Sequence, residues 1–411
     1  MQNHVEFSIL KNAIDYAAEN SPFYKKIFSE NNINTDKITS MEDFQKLPFS
    51  DKYDLRDAYP LGLQAVPDED VVRIHSSSGT TGNPVIIPYT REDVEDWATM
   101  FARCYEFAGV TKRDRIQITP GYGLWTAGIG FQAGCEKLGA MAIPIGPGNT
   151  EKQIQMLIDL KSTVLCSTSS YALLLAEEIV NRGLKDKIAL KRGIIGSERW
   201  GEKMRQRISD GLGIDLFDIY GLTEVYGPGI AIDCEKHEGM HYWNDYMYFE
   251  IIDPKTGEVL PDGEFGELVI TTLRKTAAPL IRYRTHDLTR IIPNRCSCGR
   301  EYPMIDRISG RTDDMIKVKG VNIYPSQIEE VLNYVDGTSS EYQVIIERID
   351  GKDRMTLKVE TIKDADKQRV MEEVLQMFKS KIGIRIHCVC VNIGELPRSE
   401  KKTRRIFDYR D

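Results

Sequence analysis

Apolar residues follow two spacings in the central part of the chain. Short apolar runs of strand length, at 115–119, 141–145, 164–167, 193–196 and 216–220, are separated by stretches whose apolar residues repeat at helical spacing. The predicted helices cover 91–108, 151–160, 169–182 and 201–211, and a glycine-rich turn at 121 opens another that ends near 139. This alternation is typical of a parallel sheet whose strands are joined by helical crossovers.

The two ends of the chain have other patterns. Residues 7–28 carry apolar residues at helical spacing and predict a helical lead-in. Beyond Asp245, alternating apolar and polar residues between tight turns at 253–257 and 261–263 indicate an antiparallel layer or barrel. From about Gly310, the pattern predicts a small α+β domain with helices at 326–334 and 366–381 and strands at 342–348, 355–360 and 387–391. The predicted fold class is therefore α/β, with mainly parallel sheets followed by a β-rich subdomain and a small α+β domain.

Composition narrows the class of protein. The 411 residues are enough for two or more domains, and 41% apolar with 28% charged residues is an ordinary globular balance. A net charge of -8 argues against nucleic-acid and anionic-membrane partners, because both favour a concentrated basic surface. No 18 apolar residues run together and residues 1–10 lack a signal-peptide core, so we expect a soluble cytoplasmic protein. Cys104, Cys135 and Cys166 lie in apolar runs, which favours reduced thiols over a disulfide framework.

A loop rich in hydroxyl groups lies between two predicted strands at 72–74 and 85–87. It reads Ser-Ser-Ser-Gly-Thr-Thr-Gly-Asn-Pro over residues 76–84. Its glycines let backbone N–H groups turn toward an anion and its hydroxyls supply further donors, so the loop suits a triphosphate. No lysine follows Gly82, so this is not a Walker loop, and a solvated hairpin would use the same residue types.

Two further segments carry carboxylates that suit a nucleotide site. Tyr220-Gly221-Leu222-Thr223-Glu224 follows a predicted strand and lies at the carboxyl edge of the sheet, where open α/β folds bind ligands. A carboxylate beside a triphosphate usually means Mg²⁺. In Arg282-Tyr283-Arg284-Thr285-His286-Asp287, the Asp287 carboxylate could accept hydrogen bonds from ribose hydroxyls. A solvated turn and a surface charge pair are the plain alternatives for these two segments.

Cysteines and histidines indicate a second kind of site. Cys296 and Cys298 form a C-x-C turn, and Cys234 lies upstream near His237 and His241. Thiolates with one imidazole are typical ligands of a tetrahedral structural Zn²⁺. The spacing leaves open whether His237, in a C-x₂-H arrangement, or His241, in a C-x₆-H arrangement, completes the site. Reduced surface cysteines are the alternative.

Taken in order, these segments resemble the adenylate-forming superfamily, and most closely its phenylacetate-CoA ligase branch. The match also includes a hinge segment, Gly310-Arg311-Thr312-Asp313-Asp314-Met315-Ile316-Lys317-Val318-Lys319-Gly320, and Pro397-Arg398-Ser399-Glu400 leading to Lys402. It covers nearly the whole chain. The resemblance implies a large N-terminal domain over residues 1–312 and a small mobile domain over residues 313–411 that rotates about Asp313.

The resemblance also implies a role for each matching residue. ATP or AMP would be bound by Ser76, Ser77, Ser78, Gly79, Thr80, Thr81, Gly82, Gly196, Ser197, Glu198, Asp218, Tyr220, Gly221, Asp287 and Arg311. Thr223 and Glu224 would meet the α-phosphate and Mg²⁺ as catalytic residues. Lys402 would be the catalytic lysine, whose charge offsets the repulsion between carboxylate and α-phosphate. Lys401 stands where related sequences usually have Gly, and Lys402 aligns better. After rotation, Lys317, Lys319 and Gly320 would face CoA.

The turn formed by Tyr122, Gly123, Leu124 and Trp125 resembles the acid-binding loop of the aryl-acid branch. Its aromatic character favours an aryl or arylalkyl carboxylate such as phenylacetate, although ordinary core packing would also explain these side chains.

The expected reaction joins this acid to CoA through an acyl adenylate, releasing AMP and pyrophosphate. Transfer to an amine or a carrier-protein thiol would share the first step. A non-catalytic nucleotide- or zinc-binding protein would not need both Glu224 and Lys402. A homodimer is compatible with the resemblance.

Overall fold

The computed structural model describes residues 5–77, 83–349, 351–399 and 403–410. Its α-helices are α1 (Phe7–Asn20), α2 (Pro22–Glu30), α3 (Met41–Phe44), α4 (Lys52–Asp57), α5 (Arg91–Phe107), α6 (Ala127–Leu138), α7 (Thr150–Asp159), α8 (Ser169–Asn181), α9 (Glu202–Leu212), α10 (Pro325–Tyr334) and α11 (Lys367–Ile382). Short 3₁₀ turns lie at Thr35–Lys37, Asp68–Asp70 and Lys185–Lys187. None of the helices in these ranges combines the length and the apolar character that crossing a bilayer requires.

The strands of these described ranges fall into five sheets. They are β1 (Val71–Ser76), β2 (Ile86–Thr90), β3 (Arg115–Ile118), β4 (Met141–Pro144), β5 (Val164–Thr168), β6 (Arg192–Gly196), β7 (Asp215–Leu222), β8 (Gly227–Asp233), β9 (Met240–Tyr242), β10 (Met247–Ile252), β11 (Gly266–Thr272), β12 (Tyr283–Thr289), β13 (Ile291–Ile292), β14 (Met304–Ile305), β15 (Gly310–Arg311), β16 (Ile316–Val318), β17 (Val321–Ile323), β18 (Thr338–Ile349), β19 (Lys352–Thr361), β20 (His387–Asn392) and β21 (Ile406–Asp408).

The expected helical lead-in consists of two helices. α1 ends at Asn20, and the Ser21 side chain accepts a hydrogen bond from Tyr24 N while Pro22 opens α2. Proline suits the first turn of a helix but cannot continue one, because it has no N–H and a fixed φ. Both helices pack in a small core that includes Tyr248 and Ile281, so they lie against the β-rich part of the chain.

The main sheet has nine strands in the order β13-β14-β9-β8-β7-β6-β5-β3-β4. The run from β7 to β4 is parallel, as the alternating pattern predicts. The run from β7 to β13 continues the same sheet with antiparallel pairs. Gly196 pairs with Ile219, so the carboxyl ends of β6 and β7 lie side by side. The residues that follow these two strands are therefore neighbours at one edge of the sheet.

A four-stranded antiparallel sheet, in the order β10-β11-β12-β15, forms the β-rich part. The expected antiparallel layer is confirmed, and it is an open sheet rather than a barrel. The tight turn after β10 is held by Asp253, whose Oδ1 accepts hydrogen bonds from the N–H groups of Lys255 and Thr256. In this sheet Asp287 on β12 is paired with Arg311 on β15, so two predicted ribose-binding residues lie opposite each other on neighbouring strands.

The C-terminal part has its own sheet and core. Strands β20-β19-β18-β21 form a mixed sheet, with β18 and β19 antiparallel and both outer pairs parallel. Apolar residues of α10, α11 and this sheet are buried together, among them Val331, Val344 and Phe378. This matches the expected small α+β unit. The domain boundary at 312/313 and its mobility stay predictions.

Candidate active site and metal site

The described ends of the predicted phosphate loop are joined by the β1–β2 hairpin. Ser76 pairs with Ile86 across that hairpin. Ser77 is joined twice to Val85: Ser77 N donates to Val85 O, and Val85 N donates to Ser77 Oγ, each over 3.0 Å. The rest of the predicted loop, Ser78, Gly79, Thr80, Thr81 and Gly82, lies outside the described residues. The hairpin therefore holds the two ends of the loop next to each other.

The predicted acid turn is attached to that same hairpin. Leu124 O accepts a hydrogen bond of 2.9 Å from Ser76 N. The Tyr122 ring covers Gly128 so closely that a Cβ there would lie 2.7 Å from the ring. Tyr122 and Trp125 are half-buried, whereas Gly123 and Leu124 are exposed. The fold thus brings the predicted acid turn and the start of the phosphate loop together through a backbone contact.

His75 is a residue of this region that sequence reasoning missed. Its Nδ1 lies 3.2 Å from Leu124 O, and its ring meets the edges of Tyr89 and Trp97 at centroid distances of 5.3 and 5.7 Å. Burial lowers the pKa of His75 to about 4, so the imidazole is neutral near pH 7. A neutral ring beside a carbonyl donates from Nδ1, and His75 therefore links the acid turn to β1. Only the fold brings it to Leu124, 49 residues away.

The predicted ribose-binding residues form one hydrogen-bonded group. The Tyr220 hydroxyl donates to Asp287 Oδ2 over 2.6 Å, and Arg311 Nη1 donates to Asp287 Oδ1 over 2.8 Å. Arg311 also donates from Nε and Nη2 to the two oxygens of Asp313, at 2.8 and 2.9 Å. Burial raises the pKa of Asp287, although Arg311 and Tyr220 act in the opposite direction. Burial also opposes ionisation of Asp313, but hydrogen bonds from Arg311 hold the pKa of that carboxyl below its usual range.

Two glycines are required where β6 and β7 end. A Cβ at Gly196 would lie 2.3 Å from Ile219 O, and one at Gly221 would lie 2.1 Å from Gly227 O. Such contacts exclude any side chain, so the glycines allow the backbones to approach closely. Ser197 follows with φ of 70°, a left-handed conformation that turns the chain away from the strand. Ser197 is exposed at this turn, on the edge predicted to bind adenine.

Glu198 connects that edge to the C-terminal segment. Its Oε2 accepts hydrogen bonds from Ser170 Oγ at 2.5 Å and from Thr403 N at 3.2 Å. The Thr403 hydroxyl also donates to Ser170 Oγ over 2.7 Å. Lys402 lies outside the described residues, but its neighbour Thr403 is held at the predicted adenine edge. The residue directly after the predicted catalytic lysine therefore lies at the edge of the sheet that is predicted to bind adenine.

Thr223 and Glu224 lie on the turn after β7. The Thr223 and Thr126 hydroxyls are 3.3 Å apart. Lys52 Nζ lies 3.8 Å from Glu224 Oε1, and the Glu224 side chain is only 7% exposed. Lys52 opens α4 because the Asp51 side chain caps that helix. Sequence reasoning missed Lys52, since nothing in its local sequence points to a contact 172 residues away.

Asp218 differs from the other predicted nucleotide ligands in its surroundings. It lies on β7, and its carboxylate is 3.5 Å from the Arg205 guanidinium on α9. Burial raises its pKa to about 6, and Arg205 opposes that rise. Its ion pair is thus with a helix that packs on the sheet, and not with the group formed by Tyr220, Asp287 and Arg311.

The predicted CoA-side residues form an exposed hairpin. Lys319 and Gly320, with φ of 51° and 80°, make the two-residue turn between β16 and β17. Lys319 Nζ donates to Arg385 O at 2.8 Å, and Lys317 O accepts a 2.6 Å hydrogen bond from Arg410. These contacts are all with residues of the C-terminal part.

Four predicted metal ligands come together. Cys234, His241, Cys296 and Cys298 place their ligand atoms within 4.8 Å of one another. Cys234 Sγ lies 3.5 Å from Cys296 Sγ, and Cys298 Sγ lies 3.5 Å from His241 Nε2. His241 Nδ1 is 2.9 Å from Tyr302 O, so its N–H donates there and Nε2 stays available to a metal. Three thiols and one imidazole fit a closed tetrahedral zinc site.

His237 lies outside this group, so the C-x₂-H alternative is not the arrangement that the fold assembles. Its Nδ1 is 2.8 Å from Asp233 Oδ2, and its Nε2 is 3.3 Å from Asp215 Oδ1. The hydrogen bond with Asp233 raises the pKa of His237. Two carboxylates therefore hold both ring nitrogens of His237, and His241 is the histidine that faces the thiols.

Comparison with known proteins identifies the family. Residues 17–273 match the AMP-binding enzyme family, and residues 320–410 match the AMP-binding enzyme C-terminal domain. The chain belongs to the AMP-binding enzymes. A phenylacetate-coenzyme A ligase of Pseudomonas putida is 42% identical over 411 residues, covering 98% of this chain and 92% of that protein. The predicted membership of the adenylate-forming superfamily, and its phenylacetate-CoA ligase branch, is thereby confirmed.

Solved structures of 2-hydroxyisobutyryl-CoA ligase resemble this AMP-binding enzyme in fold. One is in the postadenylation state in complex with 2-HIB-AMP; it has a TM-score of 0.88 and 29% identity, covering 98% of this chain and 88% of that chain. Another is in complex with 2-HIB-AMP and CoA in the thioesterification state; it has a TM-score of 0.71 and 30% identity, covering 98% and 89%. Because both are the same ligase, the higher score indicates that the overall arrangement of this chain is closer to that of the first structure than to that of the second. The predicted α/β fold class is confirmed.

Proposed function

We propose that this AMP-binding enzyme is an ATP-dependent aryl-CoA ligase that makes an acyl adenylate and then a CoA thioester. The observation that carries the proposal is the group formed by Tyr220, Asp287 and Arg311, which lies beside the turn holding Thr223 and Glu224. One carboxylate is thus oriented to receive ribose hydroxyls, while the Glu224 carboxylate lies on the turn that follows β7. The similarity to phenylacetate-coenzyme A ligases over nearly the full chain supports the same reaction.

In the first step, an oxygen of the acid attacks the α-phosphorus of ATP, and the bond to pyrophosphate breaks. Two anions must approach each other, so positive charge and fixed orientation supply most of the acceleration. Lys402 supplies that charge, and the hydroxyls and N–H groups of residues 76–82 hold the β- and γ-phosphates. The oxygens of Thr223 and Glu224 suit Mg²⁺, a hard cation that would add charge neutralisation when bound.

In the second step, the CoA thiolate attacks the acyl carbon and AMP leaves. The same cleft must now admit a pantetheine arm, so Lys402 withdraws and residues 313–411 rotate about Asp313. Rotation brings Lys317, Lys319 and Gly320 to the cleft, and Gly320 lets the arm pass close to the backbone. Arg311 and Asp313 share a bidentate ion pair, which places the hinge directly beside the ribose-binding group.

The acid is an aryl or arylalkyl carboxylate. Tyr122 and Trp125 line the turn that is joined to the phosphate loop through Leu124 O, so an acid bound there would have its carboxylate near the phosphates. Aromatic side chains bind aryl rings through large apolar contact areas. Phenylacetate is the acid in the names of several relatives, and we place it first among substrates.

The group of Cys234, His241, Cys296 and Cys298 holds a structural zinc ion. Four protein ligands leave no open position for water or substrate, which is the character of a structural rather than a catalytic site. The ion would join β8, β9 and the loop before β14, and so stabilise the antiparallel end of the main sheet. The enzyme works in the cytoplasm, where thiols remain reduced, and all eight cysteines are free in the structure.

Release of pyrophosphate tests the proposal. The protein is incubated with ATP and Mg²⁺ and with phenylacetate, benzoate, indoleacetate or hexanoate, each with and without CoA. We expect release that depends on an aryl acid, with AMP and an aryl-CoA thioester as products. Release without a thioester would favour an amine or carrier-protein acceptor, and ATP binding without release under any condition would favour a non-catalytic protein.

A further inference from the structure

A chain of four alternating charges crosses the contact between the large and small parts of the molecule. Arg398 donates from Nε and Nη2 to the two oxygens of Glu177, both at 2.9 Å. It also donates from Nη1 and Nη2 to the two oxygens of Glu360, both at 2.9 Å. Arg207 completes the chain by pairing with Glu177. Bidentate contacts of this kind are the strongest ordinary ion pairs.

The four charges divide into two pairs that belong to different parts of the fold. Glu177 on α8 and Arg207 on α9 lie in the large part, whereas Glu360 on β19 and Arg398 lie in the small part. Each pair can persist if the parts separate. The contact between Glu177 and Arg398 exists only while they are docked, so it adds stability to the docked arrangement alone.

Burial strengthens the contact. The Glu360 side chain is fully buried and the Arg398 side chain is 10% exposed, while Glu177 is 23% exposed. Glu360 also accepts hydrogen bonds from the N–H groups of Gly394 and Leu396, which fixes the loop before Arg398. Arg398 thus enters the contact already oriented by its own domain.

The position of Arg398 connects this contact to catalysis. Arg398 lies four residues before Lys402, and Thr403 comes directly after Lys402. Glu177 holds the segment on one side, and the Ser170 and Glu198 pair holds Thr403 on the other. Because α8 carries both Glu177 and Ser170, one helix of the large part holds both flanks of the predicted catalytic lysine.

We propose that Glu177 is a positioning residue for adenylation: by holding Arg398, it fixes the segment that presents Lys402, and it must release Arg398 before thioester formation. The inference rests on the proposed function, since it assigns Glu177 to the first of its two steps. The arrangement of the two parts, which is closer to the postadenylation than to the thioesterification structure of the related ligase, agrees with this assignment.

The test compares Glu177→Gln with Glu178→Gln. Glu178 is the next residue of α8, and its carboxylate pairs with Arg182 of the same helical segment at 2.6 Å, away from the small part. Two half-reactions are measured: acid-dependent exchange of labelled pyrophosphate into ATP, and thioester formation from supplied phenylacetyl adenylate and CoA. We expect Glu177→Gln to slow exchange by about tenfold while leaving thioester formation unchanged or faster, because a charge-assisted hydrogen bond is lost from one state only. Glu178→Gln leaves both rates unchanged.

Glu177→Asp provides the second variant. Aspartate keeps the negative charge, but its side chain is one methylene group shorter and holds Arg398 less well. The rate of pyrophosphate exchange in this variant should therefore lie between the rates of the unaltered protein and of Glu177→Gln, and its melting temperature should be unchanged. Equal loss of both half-reactions in Glu177→Gln, or normal exchange, would overturn the positioning role while leaving the ligase assignment intact. Absence of exchange in the unaltered protein with every aryl acid of the panel would overturn both.

Discussion

The Tyr220 hydroxyl donates a 2.6 Å hydrogen bond to Oδ2 of Asp287, and this bond joins the main sheet to the four-stranded sheet. Tyr220 lies near the end of β7, and Asp287 lies in β12. Arg311 occupies the other carboxylate oxygen. The carboxylate predicted to receive the ribose is thus oriented from both sides before any nucleotide arrives, which lowers the cost of binding.

Replacing Tyr220 with Phe tests that orientation. The substitution leaves Asp287 Oδ2 without its hydroxyl donor in a buried site, which costs about 1–3 kcal/mol. We expect the Kd for ATP, measured by isothermal titration calorimetry without acid, to rise about tenfold. Tyr409→Phe is the matched control, because Tyr409 is 64% exposed and lies directly after β21. Equal ATP affinity in both variants would show that the hydroxyl does not orient Asp287.

The adjacent pair Lys401 and Lys402 allows a direct test of the predicted catalytic lysine. Lys402→Ala should slow pyrophosphate exchange by at least about a hundredfold, as loss of a single group that stabilises transition-state charge typically does. It should spare thioester formation from supplied acyl adenylate. Lys401→Ala should leave exchange close to normal. The reverse order of effects would move the assignment to Lys401, and equal loss of both half-reactions would contradict the division of labour.

Sequence reasoning predicted most of the candidate site because its motifs are local. The hydroxyl-rich loop and the turn after β7 each follow a strand, and the segment at 282–287 lies largely within β12, so local strand and turn patterns identify all three. The antiparallel half of the main sheet was not expected. β8, β9, β13 and β14 are short, and their pairing depends on contacts between residues far apart in the chain.

The residues that were missed share one property. His75, Lys52 and Glu177 act through partners 49, 172 and 221 residues away, at Leu124, Glu224 and Arg398. A histidine in a strand or a glutamate on a helix carries no local sign of such a partner. The same reason explains why spacing alone left the choice between His237 and His241 open, and why the fold resolves it.

The proposed zinc site leads to a prediction that is separate from catalysis. Protein purified without added zinc should contain about one zinc ion per chain by mass spectrometry, because a closed site of four ligands retains its metal. His241→Asn should lose the ion and lower the melting temperature, whereas His237→Gln should keep it. Since the proposed metal is structural, pyrophosphate release at 25 °C should change little in folded protein. Retention of zinc in His241→Asn would contradict this ligand set.

Lys275 should make stability depend on pH in a specific range. It is 2% exposed, its Nζ lies 3.6 Å from the Tyr89 ring centroid and 4.5 Å from that of Tyr226, and within the described residues it has no hydrogen-bond partner. Burial lowers its pKa to about 8, against the opposing effect of Asp93. Below pH 8 the folded protein therefore carries a buried charge that the unfolded chain exposes to water. That cost is removed as pH rises from about 8 to the unfolded value of about 10.5.

Lys275→Met should stabilise the protein at pH 7 by roughly 1–3 kcal/mol, since an apolar side chain of similar length replaces a buried charge. The difference in free energy of unfolding between this variant and the unaltered protein, from urea titrations at pH 7, 8, 9 and 10, should shrink steadily above pH 8. Lys379→Met, at an exposed position of α11, should show no such trend. A difference that stays constant across the four pH values would mean that Lys275 titrates as it would in water, and that its two aromatic neighbours together with Asp93 balance the effect of burial.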